Sequence, residues 1–134
     1  MTYATVMVNL TLGRSNAPAL TAAVAVAEQC GAGITGVAAC RPIEIACRDY
    51  ALPAALFDED RKQAAQQTKV AEIEFRDAVA NARGPTVWRA GRTAIPLADH
   101  LSRQARDADL IVTGAPPTDR EIDVTRQVDI QDLV

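Results

Sequence analysis

The sequence predicts an α/β domain in which a doubly wound parallel sheet lies between two layers of helices. Short apolar, β-branched runs occur without polar alternation, which is typical of strands buried on both faces. Segments with apolar residues at helical spacing lie between these runs, and glycine or proline separates the elements. The resulting order, β-α-β-α-β-α-β, favours parallel strands with helical crossovers. A length of 134 residues suits one compact domain.

The first strand is predicted over residues 3–10, which are almost continuously apolar. We expect Ser15 or Asn16 to cap the helix that follows, because short polar side chains satisfy the free N–H groups of a first turn. Pro18 fits that first turn, and Gly31 fits the end of the helix.

A second strand is predicted over residues 34–40, and residues 41–56 are predicted to be irregular. A long helix is expected over residues 58–83, because small and apolar residues recur there at intervals of three and four. The acids at 58–60 suit the positive end of the helix dipole, and Gly84 suits the stop.

A third strand is predicted over residues 86–89. Thr93 is expected to cap the next helix, with Pro96 in its first turn. Residues 108–114 form the clearest strand, an apolar run that ends at a glycine. These elements define a predicted domain over residues 1–117.

The remaining segment, residues 118–134, has a different character from the domain. It holds five acids and two bases, whereas residues 1–117 hold twelve of each. We expect this acidic segment to be irregular or to begin a further helix.

Composition excludes several classes of function. The net charge is −3, which argues against a nucleic-acid binder, and no apolar stretch approaches the ~20 residues that span a membrane. Three cysteines without a secretory signal indicate a reduced, cytoplasmic protein. One histidine and no C-x-x-C pair argue against a metal site.

In a doubly wound sheet, ligands bind beyond the carboxyl ends of the strands, here near residues 9–16, 37–42 and 113–118. Neither the G-x-x-x-x-G-K-[ST] phosphate loop nor the dinucleotide motif G-x-G-x-x-G follows the first strand. A receiver domain would need an aspartate after the third strand, where residues 88–90 read Trp-Arg-Ala.

A fourth pattern fits the layout better. Residues 4–11, residues 89–96 and residues 108–114 resemble the first strand, the third strand with its helix start, and the fourth strand of the universal stress protein family. The resemblance covers about residues 1–117. It implies a five-stranded parallel sheet of order 3-2-1-4-5 that usually dimerises and that binds ATP in some members.

The resemblance also assigns candidate nucleotide-binding positions. Thr11 stands where ATP-binding members carry an aspartate, and Val37 matches a strand residue whose backbone meets adenine. Gly114 matches the first glycine of the phosphate loop G-x-x-G-(x9)-G-[ST]. Pro117 replaces the second glycine, and the residues at 127–128 replace the last pair with Gln-Val. Because proline has no N–H for a phosphate, we expect the ATP site to be degraded.

Other residues near the strand ends carry alternatives. Arg14, Ser15 and Asn16, with Arg41 on the neighbouring strand end, could hold an anion, although helix capping is the favoured interpretation of the polar pair. Cys40, or the cysteine at position 47, could be a redox-sensitive thiol, because each precedes an arginine.

Two aromatic residues are interpreted as structural. His100 has no identifiable nucleophile or metal partner and is expected to be a partly exposed helix residue. Trp88 is expected to pack in the core rather than to stack on a base.

The family fold needs one more helix and a fifth strand after Gly114. We therefore expect either a piece of a longer protein or a domain that lacks strand five and associates through its exposed edge. Homodimers or larger homo-oligomers are expected, and a protein partner is an alternative, whereas nucleic acid and membranes are not expected.

The predicted function is a non-catalytic, stress-protein-like regulatory or interaction domain with a degraded ATP motif. The first alternative is a protein that still binds ATP weakly through Thr11, Val37 and Gly114. The second is an enzyme of the adenine-nucleotide hydrolase-like class, which is disfavoured because no acid–base pair is visible at the strand ends. No catalytic residue and no metal ligand is assigned.

Overall fold

A computed structural model describes residues 4–46, 51–114 and 125–128. Four parallel strands form one sheet in the order β3-β2-β1-β4. The strands are β1 Thr5–Asn9, β2 Gly33–Cys40, β3 Thr86–Arg92 and β4 Leu110–Thr113. The predicted α/β class and the 3-2-1-4 part of the predicted strand order are confirmed. The predicted fate of strand five falls on residues that lie mostly outside the described ranges.

Helices cover both faces of the sheet. They are α1 Ala17–Cys30, α2 Ile43–Ala46, α3 Ala54–Ala78 and α4 Leu97–Gln104, and a 3-10 turn at Ala105–Asp107 follows α4. The larger core cluster packs α1 and α3 against one face of the sheet, and a smaller cluster packs α4 against the other. The chain thus forms the three layers that the sequence predicts.

Successive side chains along β1 belong alternately to the two core clusters. Val6 and Val8 point to the side of α1 and α3, whereas Met7 packs with Val37 and Leu101 beneath α4. All five side chains are 1% exposed or less. The central strands are therefore buried on both faces, which explains why their sequences show no polar alternation.

One glycine of β2 is required by close packing. Phe75 of α3 contacts Trp88 of β3 with ring centroids 5.3 Å apart. A Cβ atom at Gly36 would lie 2.7 Å from the Phe75 ring and 2.9 Å from the Trp88 ring. Trp88 is half-buried on an edge strand and packs against the core, in agreement with its predicted structural role.

The boundaries of the long helix differ from the prediction. Helix α3 begins at Ala54, directly after Pro53, and ends at Ala78 rather than at position 83. The extended backbone of Pro53 sets the start, and the backbone of Val79 already departs from helical geometry. The acids at 58–60 therefore lie beyond the first turn, and the dipole explanation for them is wrong.

Two smaller predictions also need correction. Residues 41–56 are not wholly irregular, because they include α2 and the start of α3. Thr93 does not cap α4, which begins after Pro96. Its Oγ1 atom instead accepts a hydrogen bond of 3.3 Å from the N–H of Ile95. Gly31 does end α1, in the left-handed conformation that favours glycine.

Candidate functional site

A cavity of about 270 Å³ opens at the carboxyl ends of β1 and β4. These two strands are neighbours in the sheet although they are distant in the chain, so the strand order reverses between them. Such a switch point is where doubly wound domains bind ligands. The cavity lies below the ~300–1,000 Å³ typical of sites for small organic ligands.

The structure brings most of the predicted site residues together around this cavity. Thr11, Arg14, Ser15, Asn16 and Gly114 all line it. The two other candidates do not: Val37 is buried in the cluster beneath α4, and Arg41 does not contribute to the cavity wall.

Six further residues complete the wall: Asn9, Pro18, Ala19, Thr113, Gln127 and Val128. Asn9 is 6% exposed, and its Nδ2 atom lies 3.5 Å from Oγ1 of Thr113. The asparagine and threonine are the last residues of neighbouring strands, so strand register alone would have placed them side by side. The pair gives the floor of the cavity a neutral, polar character.

The loop after β1 is held by the side chain of Asn16. Its Oδ1 atom accepts a 2.7 Å hydrogen bond from the N–H of Thr11, and its Nδ2 atom donates to the Thr11 carbonyl at 3.1 Å. Nδ2 also lies 3.1 Å from the carbonyl of Arg14. Asn16 is only 6% exposed, so its side chain is largely shielded from solvent. The backbone of Thr11 is thereby satisfied from within the protein.

A carboxylate from α3 reaches the same loop. The Glu74 carboxylate accepts from the backbone N–H of Asn16 at 3.1 and 3.2 Å and from its Nδ2 atom at 3.1 Å. It also accepts from the Ser15 hydroxyl at 3.3 Å. Negative charge is favourable at the N-terminus of a helix, so Glu74 occupies the position that an external anion would take.

These contacts correct the predicted capping. The Asn16 side chain makes no capping bond to α1, because it turns back to the preceding loop. Ser15 Oγ does accept from the N–H of Ala17, at 3.4 Å. The carboxylate of Glu74, not a residue of the loop, is the principal acceptor at this helix start, and the sequence reasoning missed it.

Helix α3 presents three polar residues to the site at intervals of seven: Asp60, Gln67 and Glu74. This spacing puts them on one side of the helix, next to the small buried residues Ala64 and Ala71. The seven-residue spacing is visible in the sequence. Together with the buried alanines beside it, this spacing is the signal in the sequence that marks the three polar residues.

Gln67 links two parts of the site. Its Oε1 atom accepts a 2.9 Å hydrogen bond from Nε of Arg126. Its amide nitrogen lies 2.9 Å from where a Cβ atom would stand on Gly13. Gly13 has a φ of +83°, so glycine serves both the turn and the approach of this side chain.

Residues 125–128, here called the strap, cross the ends of β1 and β2. The carbonyl of Thr125 accepts a 2.8 Å hydrogen bond from the N–H of Arg41. Val128 packs against Met7, Val37 and Leu101, and it also lines the cavity. The strap therefore joins the cavity wall to the core beneath α4.

Arg126 anchors the strap to α3. Its Nη2 atom lies 2.6 Å from Oδ1 of Asp60, with the two side chains 6% and 11% exposed. Nη2 also donates to the Asp60 carbonyl at 3.4 Å, and Oδ2 of Asp60 accepts from the N–H of Ile43 at 3.4 Å. Asp60 thus binds the strap and the start of α2, which replaces the dipole role predicted for it.

The environment of Cys40 contradicts the proposed reactivity of this thiol. Cys40 is 2% exposed, and burial raises its pKa, although the charges of Arg126 and Arg92 act in the opposite direction. A thiol held protonated and away from solvent is a poor nucleophile. The other cysteine considered for redox chemistry, at position 47, lies outside the described residues.

His100 is half-buried on α4 and does not line the cavity. Burial lowers its pKa, and the charge of Arg103 lowers it further. Within residues 4–46, 51–114 and 125–128, no group of three or more potential metal ligands occurs. None of the helices in these ranges is long and apolar enough to cross a membrane.

The fold and the cavity define a class: a doubly wound α/β domain with a small polar cleft at its topological switch point. Comparison with solved structures refines this class. The chain is similar to the universal stress protein UspA from Lactobacillus plantarum, with a TM-score of 0.66 and 21% identity over 95% of this chain and 87% of that one.

A universal stress protein from Archaeoglobus fulgidus gives a TM-score of 0.61 at 18% identity, over 99% of this chain and 87% of that one. A universal stress protein in complex with cAMP gives a TM-score of 0.52 at 23% identity, over 84% of this chain and 76% of that one. The chain has the universal stress protein fold, and the predicted resemblance is confirmed at that level. No family model and no curated protein matches the sequence.

Proposed function

We propose that this chain is a non-catalytic regulatory domain of the universal stress protein type whose nucleotide cleft is closed by its own side chains. The observation that carries the proposal is the Glu74 carboxylate on the loop after β1. The Glu74 carboxylate accepts a hydrogen bond from the Asn16 N–H. The Asn16 side chain in turn forms hydrogen bonds with both the N–H and the carbonyl of Thr11. At Thr11 and Asn16, a ligand therefore meets backbone groups that are already hydrogen-bonded.

Electrostatics support the same conclusion. A nucleoside triphosphate carries several negative charges, and Glu74 places a further carboxylate beside the loop that would receive them. Thr11 offers a hydroxyl where the resemblance calls for an aspartate, and one hydroxyl makes fewer and weaker bonds to ribose than a carboxylate does. The cavity between β1 and β4, at about 270 Å³, is also smaller than a typical site for a small organic ligand.

Calorimetric titration with Mg-ATP and with cAMP tests the proposal. We expect no saturable heat at submillimolar nucleotide and no release of phosphate over hours. Glu74→Gln keeps most of the hydrogen bonds but removes the charge, so it should bind Mg-ATP more tightly than Glu72→Gln, which changes an exposed residue of the same helix. Micromolar affinity in the wild-type protein would refute the closed cleft.

A nucleotide-binding function is the second candidate, and a specific observation favours it. The cavity lies between β1 and β4, with Gly114 and the strap in its wall, and one structural neighbour was solved in complex with cAMP. Titration with cAMP separates the candidates, because a compact monophosphate needs less space than ATP. Saturable cAMP binding without ATP binding would make this the leading function.

We propose further that the domain acts through a second copy or a protein partner in the cytoplasm. Among the described strands, β4 pairs with β1 alone, so its other edge is a candidate for strand addition. Light scattering should give a mass of at least two chains at micromolar concentration. A mass of one chain up to millimolar concentration would exclude self-association through this edge.

A further inference from the structure

We infer that the outward face of α3, together with the loop after β1, is a docking groove for an acidic, amphipathic helix of a protein partner. The groove has a volume of about 780 Å³ and runs along the helix from Gln63 to Asp77. Its other wall is formed by the loop, with Gly13, Arg14 and Ser15. The inference rests on the proposed action through a protein partner and gives it a defined surface, which is distinct from the edge of β4.

Two exposed apolar side chains lie at the centre of this face. Val70 is 60% exposed and Ile73 is 57% exposed, and their spacing of three residues places them side by side on the helix. Both are β-branched, so they have lower helix propensity than the lysine and glutamine residues that precede them on the same face. Neither burial within this chain nor helix stability therefore explains them. A binding partner accounts for them, because it would remove their apolar surface from water.

Cationic groups flank the apolar pair on both sides. Lys69 stands four residues before Ile73 and Lys62 stands four residues before Gln66, so both lysines border the face on one side. Arg14 lines the opposite wall. Within the described part of the chain, neither the two lysines nor Arg14 has an ion pair. The groove thus offers three cations that the carboxylates of a partner would neutralise.

The two carboxylates in the groove define where the acidic residues of the partner belong. Glu74 is already hydrogen-bonded within the loop after β1. Asp77 lies at the end of the groove, eight residues beyond Lys69. Acidic residues of the partner should therefore face the two lysines and Arg14, and a neutral or basic residue should face Asp77.

The geometry of the groove favours a helix over an extended strand. A strand docks by pairing its backbone with a free sheet edge, whereas the backbone of α3 is hydrogen-bonded within the helix. A helix satisfies its own backbone and presents side chains at intervals of three and four residues, which match Val70 and Ile73. Gln63 and Asp77 are fourteen residues apart. At a rise of ~1.5 Å per residue the groove is about 21 Å long, which accommodates nearly four helical turns.

A second copy of the chain fits this groove less well than an acidic partner. A two-fold pairing of α3 with itself that sets Val70 against Ile73 would place Lys69 against Arg76 of the second copy. Like charges in that position repel each other. Charge complementarity therefore points to a different, acidic chain.

Selection from a phage-displayed library of random peptides, each long enough for four helical turns, tests the inference with the full chain as target. We expect the enriched sequences to be net acidic, with apolar residues at intervals of three and four. The double variant Val70→Gln, Ile73→Gln serves for comparison, because glutamine has the helix propensity to keep α3 folded. The most enriched peptide, synthesised and titrated, should bind this variant at least about tenfold more weakly than the wild type, a change of about 1.4 kcal/mol.

Charge and position have matched variants of their own. Lys69→Glu should weaken binding of the acidic peptide about fivefold at low salt, and the difference should shrink at high salt because exposed charges are screened. Arg106→Glu reverses an exposed charge in the 3-10 turn after α4, and Val87→Gln removes a 43% exposed apolar side chain from β3. Neither control should change the affinity.

Several results would overturn the inference. These are an absence of enrichment, enrichment of basic peptides, and peptides that bind the double variant as well as the wild type. A mass of two chains that falls to one chain in the double variant would assign the face to a second copy instead. Binding to phosphatidylglycerol vesicles that is lost in the double variant would assign it to a membrane surface. The closed cleft is tested separately, because Mg-ATP binding by the wild type would refute it without changing any of these measurements.

Discussion

The carboxylate of Glu74 provides the most informative single perturbation, because it supports the loop on which the proposed function depends. In Glu74→Ala, the Asn16 N–H loses its acceptor in a residue that is 6% exposed. An unsatisfied buried donor costs about 1–3 kcal/mol. Loss of a negative charge at the start of α1 adds about 0.3–1 kcal/mol. We therefore expect the free energy of unfolding to fall by about 2–3 kcal/mol.

The matched control for this change is Glu72→Ala on the same helix. Glu72 pairs with Arg76 at 3.5 Å, and the two side chains are 40% and 54% exposed. Such an exposed pair contributes at most about 1 kcal/mol. Both variants replace glutamate by alanine within α3, so the difference in helix propensity cancels between them.

Urea denaturation followed by circular dichroism measures both variants. A difference of about 2 kcal/mol corresponds to roughly 6–8 °C in Tm for a domain of this length. Equal unfolding free energies for Glu74→Ala and Glu72→Ala would show that the carboxylate does not hold the loop. The argument for a self-occupied cleft would then lose its physical basis.

Three further predictions concern the core and the titrating groups. Gly36→Ala should lower stability by about 1–3 kcal/mol, because its Cβ would overlap the Phe75 and Trp88 rings; an unchanged urea midpoint would contradict this packing. Cys40 should stay unlabelled by a thiol reagent at pH 8 until the protein is denatured, because burial raises its pKa and the thiol is 2% exposed; peptide mapping that finds native labelling would exclude the buried state. His100 has a lowered pKa in the folded state, so its neutral form favours folding, and that contribution is present above about pH 6.5 and lost as the pH falls through the folded-state pKa. Unfolding titrations at pH 7.5 and 5.5 should therefore show a smaller loss of stability for His100→Gln than for the wild type, and identical losses would assign the pH dependence to other groups.

The sequence predicted the fold well because the signals for it are local. Apolar runs without alternation mark the buried strands, and Gly31 marks the end of α1 through its positive φ. The small residues of α3, including Ala64 and Ala71, predicted the face on which that helix packs. The start of α3 was misplaced because the acids at 58–60 resemble a first turn, whereas Pro53 sets the boundary.

The cleft could be predicted only in part. Five of the seven candidate residues line the cavity because parallel strands end at one edge of the sheet, and this follows from strand order. The charges that govern the cleft could not be derived in the same way. Arginine is among the least buried residue types, so a sequence pattern gives no reason to expect Arg126 to be only 6% exposed.

What the sequence alone determined is therefore the order of the elements, their buried faces and the edge at which a ligand would sit. The tertiary structure decided which polar groups meet at that edge. Glu74 contacts Asn16 across 58 residues, and Asp60 contacts Arg126 across 66. Such partners are selected by how α3 lies over the sheet, because a polar side chain carries no local preference for one distant partner over another. The chemistry of the cleft is thus a product of helix placement, while the existence of the cleft follows from the pattern of strands.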